Sequence, residues 1–387
     1  MNELLIGVIG AGSRGGLARH AHRPEDGVRV VAAADPRPEA REYFRKRLGD
    51  HVALMADYHD LLADPAIGAV FVTSPDFLHE EHALAALAAG KAVYLEKPMA
   101  ITTDGCDRIL QAAASSGGRL YVGHNMRHMG FVLKMKEIID AGAIGEVKAG
   151  WCRHFISYGG DAYFKDWHAE RAYTTGLLLQ KGAHDIDVLH WLCGGYTRRV
   201  NAMGALTLYD RVTDRHAAGE YGNASFHIEN WPPLAQKGLN PVIDVEDLSM
   251  MLMELDNGVL ASYQQCHYTP DVWRNYTVIG TEGRVENFGD SPGNCAVHVW
   301  RHRVGYEPAG DEQYAMAPVE GSHGGADPRI VAEFIRYVRE GAPVSTSPVA
   351  ARNSVAAGYA ATQSLRSGGL PIDIPSPPPE AVEYFGR

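Results

Sequence analysis

Short apolar runs alternate with helix-like periodicity through the first 125 residues. The runs at 4–9, 28–34, 69–73, 92–95 and 120–123 have the length and flanking turn residues of strands, and the segments between them repeat apolar positions every three or four residues. That alternation predicts βαβ units and a parallel sheet. The Ala- and Leu-rich helix expected over 80–89 ends at Gly90 and passes directly into the next strand, a compact connection with a glycine cap. Beyond Asn125 the rhythm changes to a helix over 129–141, a strand from Val147, a helix over 175–192, and β-type stretches at 249–255, 259–265, 275–279 and 284–287. Turns at Asp256-Asn257-Gly258 and Thr281-Glu282-Gly283 separate these strands and predict an antiparallel meander with one face exposed or covered by a partner. Helical patterns at 328–340 and 349–366 follow, and Pro375-Ser376-Pro377-Pro378-Pro379 reads as an extended surface segment. The chain is thus α/β: a doubly wound domain over 1–125, an α+β domain over 126–375, and a tail over 376–387, with a C-terminal helix able to pack back on the first domain.

The first strand feeds Gly10-Ala11-Gly12-Ser13-Arg14-Gly15, and Asp35 closes the second strand. A strand that turns sharply into a helix with its backbone near a pyrophosphate needs Gly10 for the turn, Gly12 for close approach and Gly15 for helix–strand packing. The helix N-terminus then faces the phosphates. Asp35 is placed to accept hydrogen bonds from the adenosine ribose hydroxyls, and its charge would repel a 2′-phosphate, so the pattern selects NAD over NADP. Arg37 is the one neighbouring group suited to a 2′-phosphate, and is otherwise a solvated arginine at a helix start.

Length and charge narrow the classes. The 387 residues suffice for about two domains, at roughly 100–200 residues each. A net charge of −11 with no basic block argues against nucleic-acid and anionic-membrane partners, and no apolar run reaches transmembrane length. Five scattered cysteines without a CxxC pair suggest neither a disulfide framework nor a zinc ribbon, and with no signal-peptide pattern they point to a reducing cytoplasm. The sequons at Asn223 and Asn275 are read as chance matches.

Two segments carry candidate chemistry. Glu96-Lys97-Pro98 ends the strand at 92–95, where a parallel sheet presents ligand-facing groups, and Lys97 could polarise an oxygen beside a nicotinamide. In Gln180-Lys181-Gly182-Ala183-His184-Asp185-Ile186-Asp187, helical spacing sets Gln180, His184 and Asp187 on one face. His184 suits the proton that a secondary alcohol loses as its carbon gives up hydride. The competing reading makes His184 a hydrogen-bonded core residue and Asp185 and Asp187 surface charges.

Gly10 to Gly15, Glu96-Lys97-Pro98, Gly123-His124-Asn125-Met126-Arg127 and Gly182-Ala183-His184 together resemble the Gfo/Idh/MocA oxidoreductases, over nearly the whole chain. The resemblance implies an N-terminal Rossmann domain, a C-terminal domain built on a large open, mainly antiparallel sheet, and a sugar- or cyclitol-like substrate held between them. It implies catalytic roles for Lys97 and His184, a cis peptide before Pro98, and a cofactor site drawing on Gly10, Gly12, Ser13, Arg14, Gly15, Asp35, Arg37 and Glu96. Thr73 to His79, with Ser74, Pro75 and His79, is similar to the family's second cofactor loop, and Asn125 to its residue beside the nicotinamide. One departure stands out. The family often has an aspartate four residues before the histidine, whereas this chain has Gln180, which cannot act as a base. Either His184 works with Lys97 alone or Lys181 contributes.

For the substrate, Trp167, His168, Gln180, His267 and Tyr276 are the candidates, since aromatic faces and forked polar groups suit sugars; ordinary loop packing is the alternative. A metal site is not expected: His79-Glu80-Glu81-His82 lacks the second histidine of HExxH, position 83 being alanine, and no GxSxG elbow supports a serine hydrolase. The sequence therefore predicts an NAD-dependent oxidoreductase acting on a sugar- or cyclitol-like secondary alcohol, a homodimer or homotetramer through its sheet. A redox-neutral, NAD-dependent glycoside hydrolase is the second reading, and a cofactor-binding sensor without catalysis the third.

Overall fold

A computed structural model of the chain describes residues 3–218, 220, 226–291, 293–319 and 322–386. The described residues fall into two compact units: the first draws on 1–128, 321–352 and 376–387, the second on 129–320 and 353–375.

The first unit is built on six parallel strands, β1 (Leu4–Ile9), β2 (Val28–Ala34), β3 (Ala53–Met55), β4 (Ile67–Val72), β5 (Ala92–Leu95) and β6 (Leu120–Val122), in the order β3-β2-β1-β4-β5-β6. Strand order reverses between β1 and β4, and such a switch point opens a ligand crevice at the carboxyl ends of the strands. The apolar runs are buried on both faces, as helices cover both sides of a parallel sheet.

The first unit also takes in a later segment of the chain. Helix Ala326–Glu340 sends Ile330, Val331, Phe334, Ile335 and Val338 into the core formed by Val8, Val30, Phe71, Tyr94 and Tyr121. Phe334 stands edge-on to Phe71 at 5.3 Å and to Tyr94 at 5.6 Å. This amphipathic face buries against the parallel sheet, which places residues 326–340 with the first unit rather than in a continuous segment 126–375. The tail is not wholly extended either: Pro379–Phe385 is a helix that buries Ala381 and donates the Tyr384 hydroxyl to the Gly118 carbonyl at 3.2 Å.

The second unit carries nine strands in a mixed, mainly antiparallel sheet: β7 (Val147–Phe155), β8 (Thr197–Ala205), β9 (Leu248–Leu255), β10 (Leu260–Cys266), β11 (Trp273–Gly280), β12 (Arg284–Ser291), β13 (Asn294–Trp300), β14 (Glu312–Ala315) and β15 (Ile372–Asp373). Their order is β14-β13-β12-β11-β7-β10-β9-β8-β15. The expected meander is interrupted because β7 lies between β10 and β11, parallel to the first and antiparallel to the second. One face of β9 and β10 buries Met251, Met253, Ala261 and Tyr263, and the other exposes Met250, Leu252 and Leu260. The helix expected over 175–192 is divided into Leu177–Gln180 and Gly182–Cys193, and Thr175 before them holds a left-handed φ of 64°. Gln180 therefore does not share one continuous helix with His184 and Asp187.

The Asn275 sequon is fully buried, its side-chain amide donating to Glu286 at 3.0 Å, which leaves no surface for a glycan. Asn223 lies outside the described residues. No helix among the described residues is long and apolar enough to cross a membrane.

Candidate active site

In the first unit, β1 runs into Gly10, whose φ of +95° is left-handed and whose added Cβ would fall 2.5 Å from the Ser74 amide nitrogen. Only glycine lets the turn after β1 approach the loop after β4 so closely. A Cβ on Gly15 would fall 2.4 Å from the Gly10 carbonyl, so this glycine too is fixed by packing. The helix that follows is a seven-residue 3₁₀ segment, Arg14–His20. At the end of β2, Asp35 is buried and accepts from the Ala11 amide at 3.0 Å and from the Arg37 guanidinium at 3.1 and 3.2 Å. Arg37 therefore leans on the Asp35 carboxylate at the end of β2.

The loop after β4 is held by two histidines of helix His79–Ala88. His79 sets one ring nitrogen 2.9 Å from the Ser74 carbonyl oxygen and the other 2.7 Å from that of Pro98. His82 is 2.8 Å from the Ser74 hydroxyl, and burial pushes its imidazole down to about 4. His79 thus ties the loop after β4 to the Glu96-Lys97-Pro98 turn, whose Lys97-Pro98 peptide is cis, as the resemblance implies. Lys97 is half-buried and lies two residues beyond the end of β5.

Glu96 is 3% exposed and receives Arg14 Nε at 2.5 Å and the Lys97 amide at 2.9 Å. Burial works against its charge, but Arg14 and Lys97 prevail and hold it below the usual carboxylate range. Arg14 also reaches Asp327 at 3.0 Å, whose other oxygen accepts from Asn125 Nδ2 at 3.2 Å. Asp327 and His323, 3.3 Å apart, are functional candidates absent from the sequence reading. Asp327 lies 202 and 313 residues from Asn125 and Arg14, so no local spacing signals it. Asn125 is buried and its Oδ1 has no hydrogen-bond partner within the chain. That open acceptor, the two crowded glycines and the Asp35 carboxylate fit a dinucleotide whose amide end meets Asn125.

In the second unit, helix Gly182–Cys193 begins beside a buried polar cluster. His184 is 5% exposed. Asp185, expected at the surface in one reading, is fully buried: it accepts from His154 Nδ1 at 3.0 Å and from the Tyr276 hydroxyl, and it forms an ion pair with Arg274, whose Nε lies 3.0 Å away. Asp187 is buried as well. Burial would raise Asp185, but Arg274 and His154 outweigh it and hold the carboxylate well below its ordinary range. Burial first, then Arg274, pushes His154 down to about 3, so its ring is neutral and the nitrogen facing Asp185 carries the hydrogen. Tyr276 is thereby placed as a support of this cluster, with its hydroxyl engaged.

Lys181 is 8% exposed. Its ammonium lies 3.4 Å from the Tyr158 hydroxyl and over the rings of Tyr158 and Tyr163 at 5.7 and 5.6 Å. Burial alone would lower it, but the tyrosine oxygens more than offset this and keep it protonated. Burying an ammonium costs several kcal/mol, whereas a ring face at such a distance returns about 1 kcal/mol. The rings continue outward as a rail, Tyr163 edge-on to His168 at 5.5 Å and His168 stacked on Trp167 at 3.6 Å. His267 stands edge-on to Tyr163 at 5.2 Å; it is fully buried, neither ring nitrogen has a hydrogen-bond partner, and burial lowers it well below the usual histidine range. The buried Gln180 Oε1 likewise has none. The structure thus gathers Lys181, Trp167, His168 and His267 around Tyr163, a residue the sequence reading missed although it lies four positions before Trp167.

A Rossmann unit with this turn, and a second unit rich in convergent polar and aromatic groups, define an NAD-binding oxidoreductase architecture. Residues 4–124 match the family model described as an oxidoreductase family with an NAD-binding Rossmann fold, and residues 136–374 match its C-terminal alpha/beta domain. The chain belongs to the Gfo/Idh/MocA oxidoreductase family. It is 36% identical over 306 residues to inositol 2-dehydrogenase of Burkholderia multivorans strain ATCC 17616, and 31% identical over 306 residues to that of Ralstonia nicotianae, covering 78% of each chain in both cases. Its fold is similar to levoglucosan dehydrogenase in complex with NADH and levoglucosan, with a TM-score of 0.78 and 21% identity over 97% of this chain and 100% of the other.

Proposed function

We propose that this oxidoreductase transfers hydride between NAD and a secondary alcohol of a sugar- or cyclitol-like molecule. The observation that carries the reading is the switch point of the first unit, where the Gly10 turn, the Ser74 loop and the Lys97 turn are fastened together through Gly10, His79 and Glu96. The nicotinamide, when bound, supplies the hydride chemistry. Asn125 offers it an acceptor and Asp35 holds the ribose. Lys97 polarises the reacting oxygen, His184 exchanges the hydroxyl proton, and Lys181 adds positive charge on the substrate side. Trp167, His168 and His267 supply stacking faces and hydrogen bonds for a polyol, with Gln180 as a further acceptor. The inositol dehydrogenases among its relatives support this substrate class.

Asp35 makes NAD the cofactor rather than NADP, and Asp35→Asn tests it. Asparagine keeps an acceptor for the Ala11 amide while removing the repulsion and releasing Arg37, so the ratio of kcat/KM for NADP over NAD should rise by about 100-fold. An unchanged ratio would refute the assignment.

Lys181 favours one other reading, a redox-neutral glycoside hydrolase that oxidises a ring hydroxyl transiently, eliminates the aglycone and returns the hydride. A buried ammonium next to Gln180, which stands where the family often has an aspartate, could stabilise the oxyanion formed on the way. We also place the protein in a reducing cytoplasm, where its five free cysteines need no partners. Finally, we propose self-association through the outer sheet face, where Met203, Met250, Leu252 and Leu260 are exposed beside a shallow cavity of about 460 Å³ lined by Trp151, Arg153 and Arg284. Light scattering should return a dimer or tetramer; a monomer would contradict this.

A further inference from the structure

Lys181 lacks what a buried cation ordinarily has. Among the described residues no carboxylate forms an ion pair with its ammonium, and its polar contacts are with the Tyr158 and Tyr163 hydroxyls. The acids on neighbouring elements are engaged elsewhere: Asp161 with Lys165 at 2.8 Å, Asp166 with His168 at 2.6 Å, and Asp185 with Arg274, His154 and Tyr276. Position 180, four residues before His184, holds a neutral glutamine. Arg274 adds a second cation near Lys181, already matched by Asp185 and Asp290. Around Tyr163, moreover, His267 keeps both ring nitrogens without a partner although fully buried. Buried polar groups are nearly always satisfied, so a cluster with one uncompensated positive charge and an unsatisfied imidazole is complementary to something that brings negative charge and hydrogen-bonding groups.

We propose that the substrate is a sugar acid and that Lys181 pairs with its carboxylate. One ammonium, with the Tyr158 hydroxyl beside it, matches a monoanion. A phosphate dianion would call for further cationic donors, and Arg274 is already committed. In this arrangement the carboxylate anchors the ring against the Tyr158–Tyr163–His168 rail, His267 meets its hydroxyls, and a neutral hexose leaves the Lys181 charge uncompensated. Discrimination then comes from a buried group left unpaired by the wrong substrate, which is the strongest form of small-molecule selectivity.

This proposal rests on the sugar-oxidoreductase reading, and the test separates the two. Hexuronates are compared with the hexoses that carry CH2OH in place of the carboxylate, and with hexose 6-phosphates, in wild type, Lys181→Met and Lys181→Arg. NAD reduction is followed in one series, and calorimetric binding to the NAD-loaded protein in another. The expected result is a preference for a hexuronate of about 100-fold in kcat/KM and in affinity, reduced to within about 5-fold by Lys181→Met and partly restored by Lys181→Arg. Lys181-dependent hexuronate binding without NAD reduction would uphold the carboxylate site and overturn the oxidoreductase reading. NAD reduction with neutral sugars and no acid preference would do the reverse. A preference for the phosphates, or a Lys181→Met loss equal for acidic and neutral substrates, would also overturn the proposal, the latter because it marks an oxyanion stabiliser instead.

Discussion

Replacing Lys97 by methionine should lower turnover by roughly 10²–10⁴-fold while leaving NAD affinity within about 3-fold of wild type. Methionine keeps the length and apolar stem of lysine and removes only the ammonium. The groups that hold the turn do not depend on that charge. Glu96 is fastened by Arg14 and by the backbone amide of residue 97, and the Pro98 carbonyl by His79, so the turn keeps its shape in the variant. Loss of rate without loss of cofactor binding is therefore the signature of a group acting on the substrate oxygen. Single-turnover kinetics and a fluorescence titration with NADH read the two quantities separately, and a variant that turns over normally would remove Lys97 from the chemistry.

Asp185→Asn should be the most damaging single substitution for stability in the second unit. Asp185 is fully buried, accepts from His154 and Tyr276, and is ion-paired with Arg274. Without its charge, Arg274 is left in the interior with Asp290, 3.5 Å away, as its remaining carboxylate partner. Removing one member of such a buried pair costs about 3–5 kcal/mol, which lowers Tm by roughly 10 °C in a unit of this size. The cluster also sets a pH dependence. Asp185 is held below its ordinary value, so its contribution is complete above the unfolded carboxylate range near 4 and is lost as pH falls beyond it. His154, pushed down to about 3, stays neutral while an unfolded histidine takes up a proton below about 6.5, so it too costs stability on acidification. Scanning calorimetry should show wild-type stability falling between about pH 6.5 and 3, by at most about 1.4 kcal/mol per pH unit for each group. In Asp185→Asn the carboxylate part, below about pH 4, disappears and the histidine part remains. A variant with wild-type Tm would show that the cluster does not hold the start of the His184 helix.

The local motifs were legible because their chemistry is written in adjacent residues. Gly10 to Gly15 with Asp35, the Glu96-Lys97-Pro98 turn and His184 all fell where strand and helix patterns placed them, since each depends on one strand end or one helix. Long-range partners were not. Asp327 meets Arg14 across 313 positions, and although a C-terminal helix was expected to pack back on the first domain, no sequence pattern shows which of its side chains reaches the Gly10–Gly15 turn. Asp185 was ambiguous for the same reason, because its burial depends on His154 from β7 and Arg274 and Tyr276 from β11. Strand succession also misled at β10 and β11, where β7 occupies the slot that consecutive strands usually share. The meaning of Lys181 lies in what is absent around it, and absence of a counter-charge is a property of packing alone.

The central claim is net hydride transfer to NAD. It is tested most directly by incubating the pure protein with NAD and a panel of sugars, sugar acids, cyclitols and aryl glycosides, following reduced-nicotinamide absorbance and aglycone release in the same sample. Reduced cofactor accumulating in step with substrate loss is the predicted result. Aglycone released over many turnovers with no net reduced cofactor would contradict it and would make the enzyme a redox-neutral glycoside hydrolase.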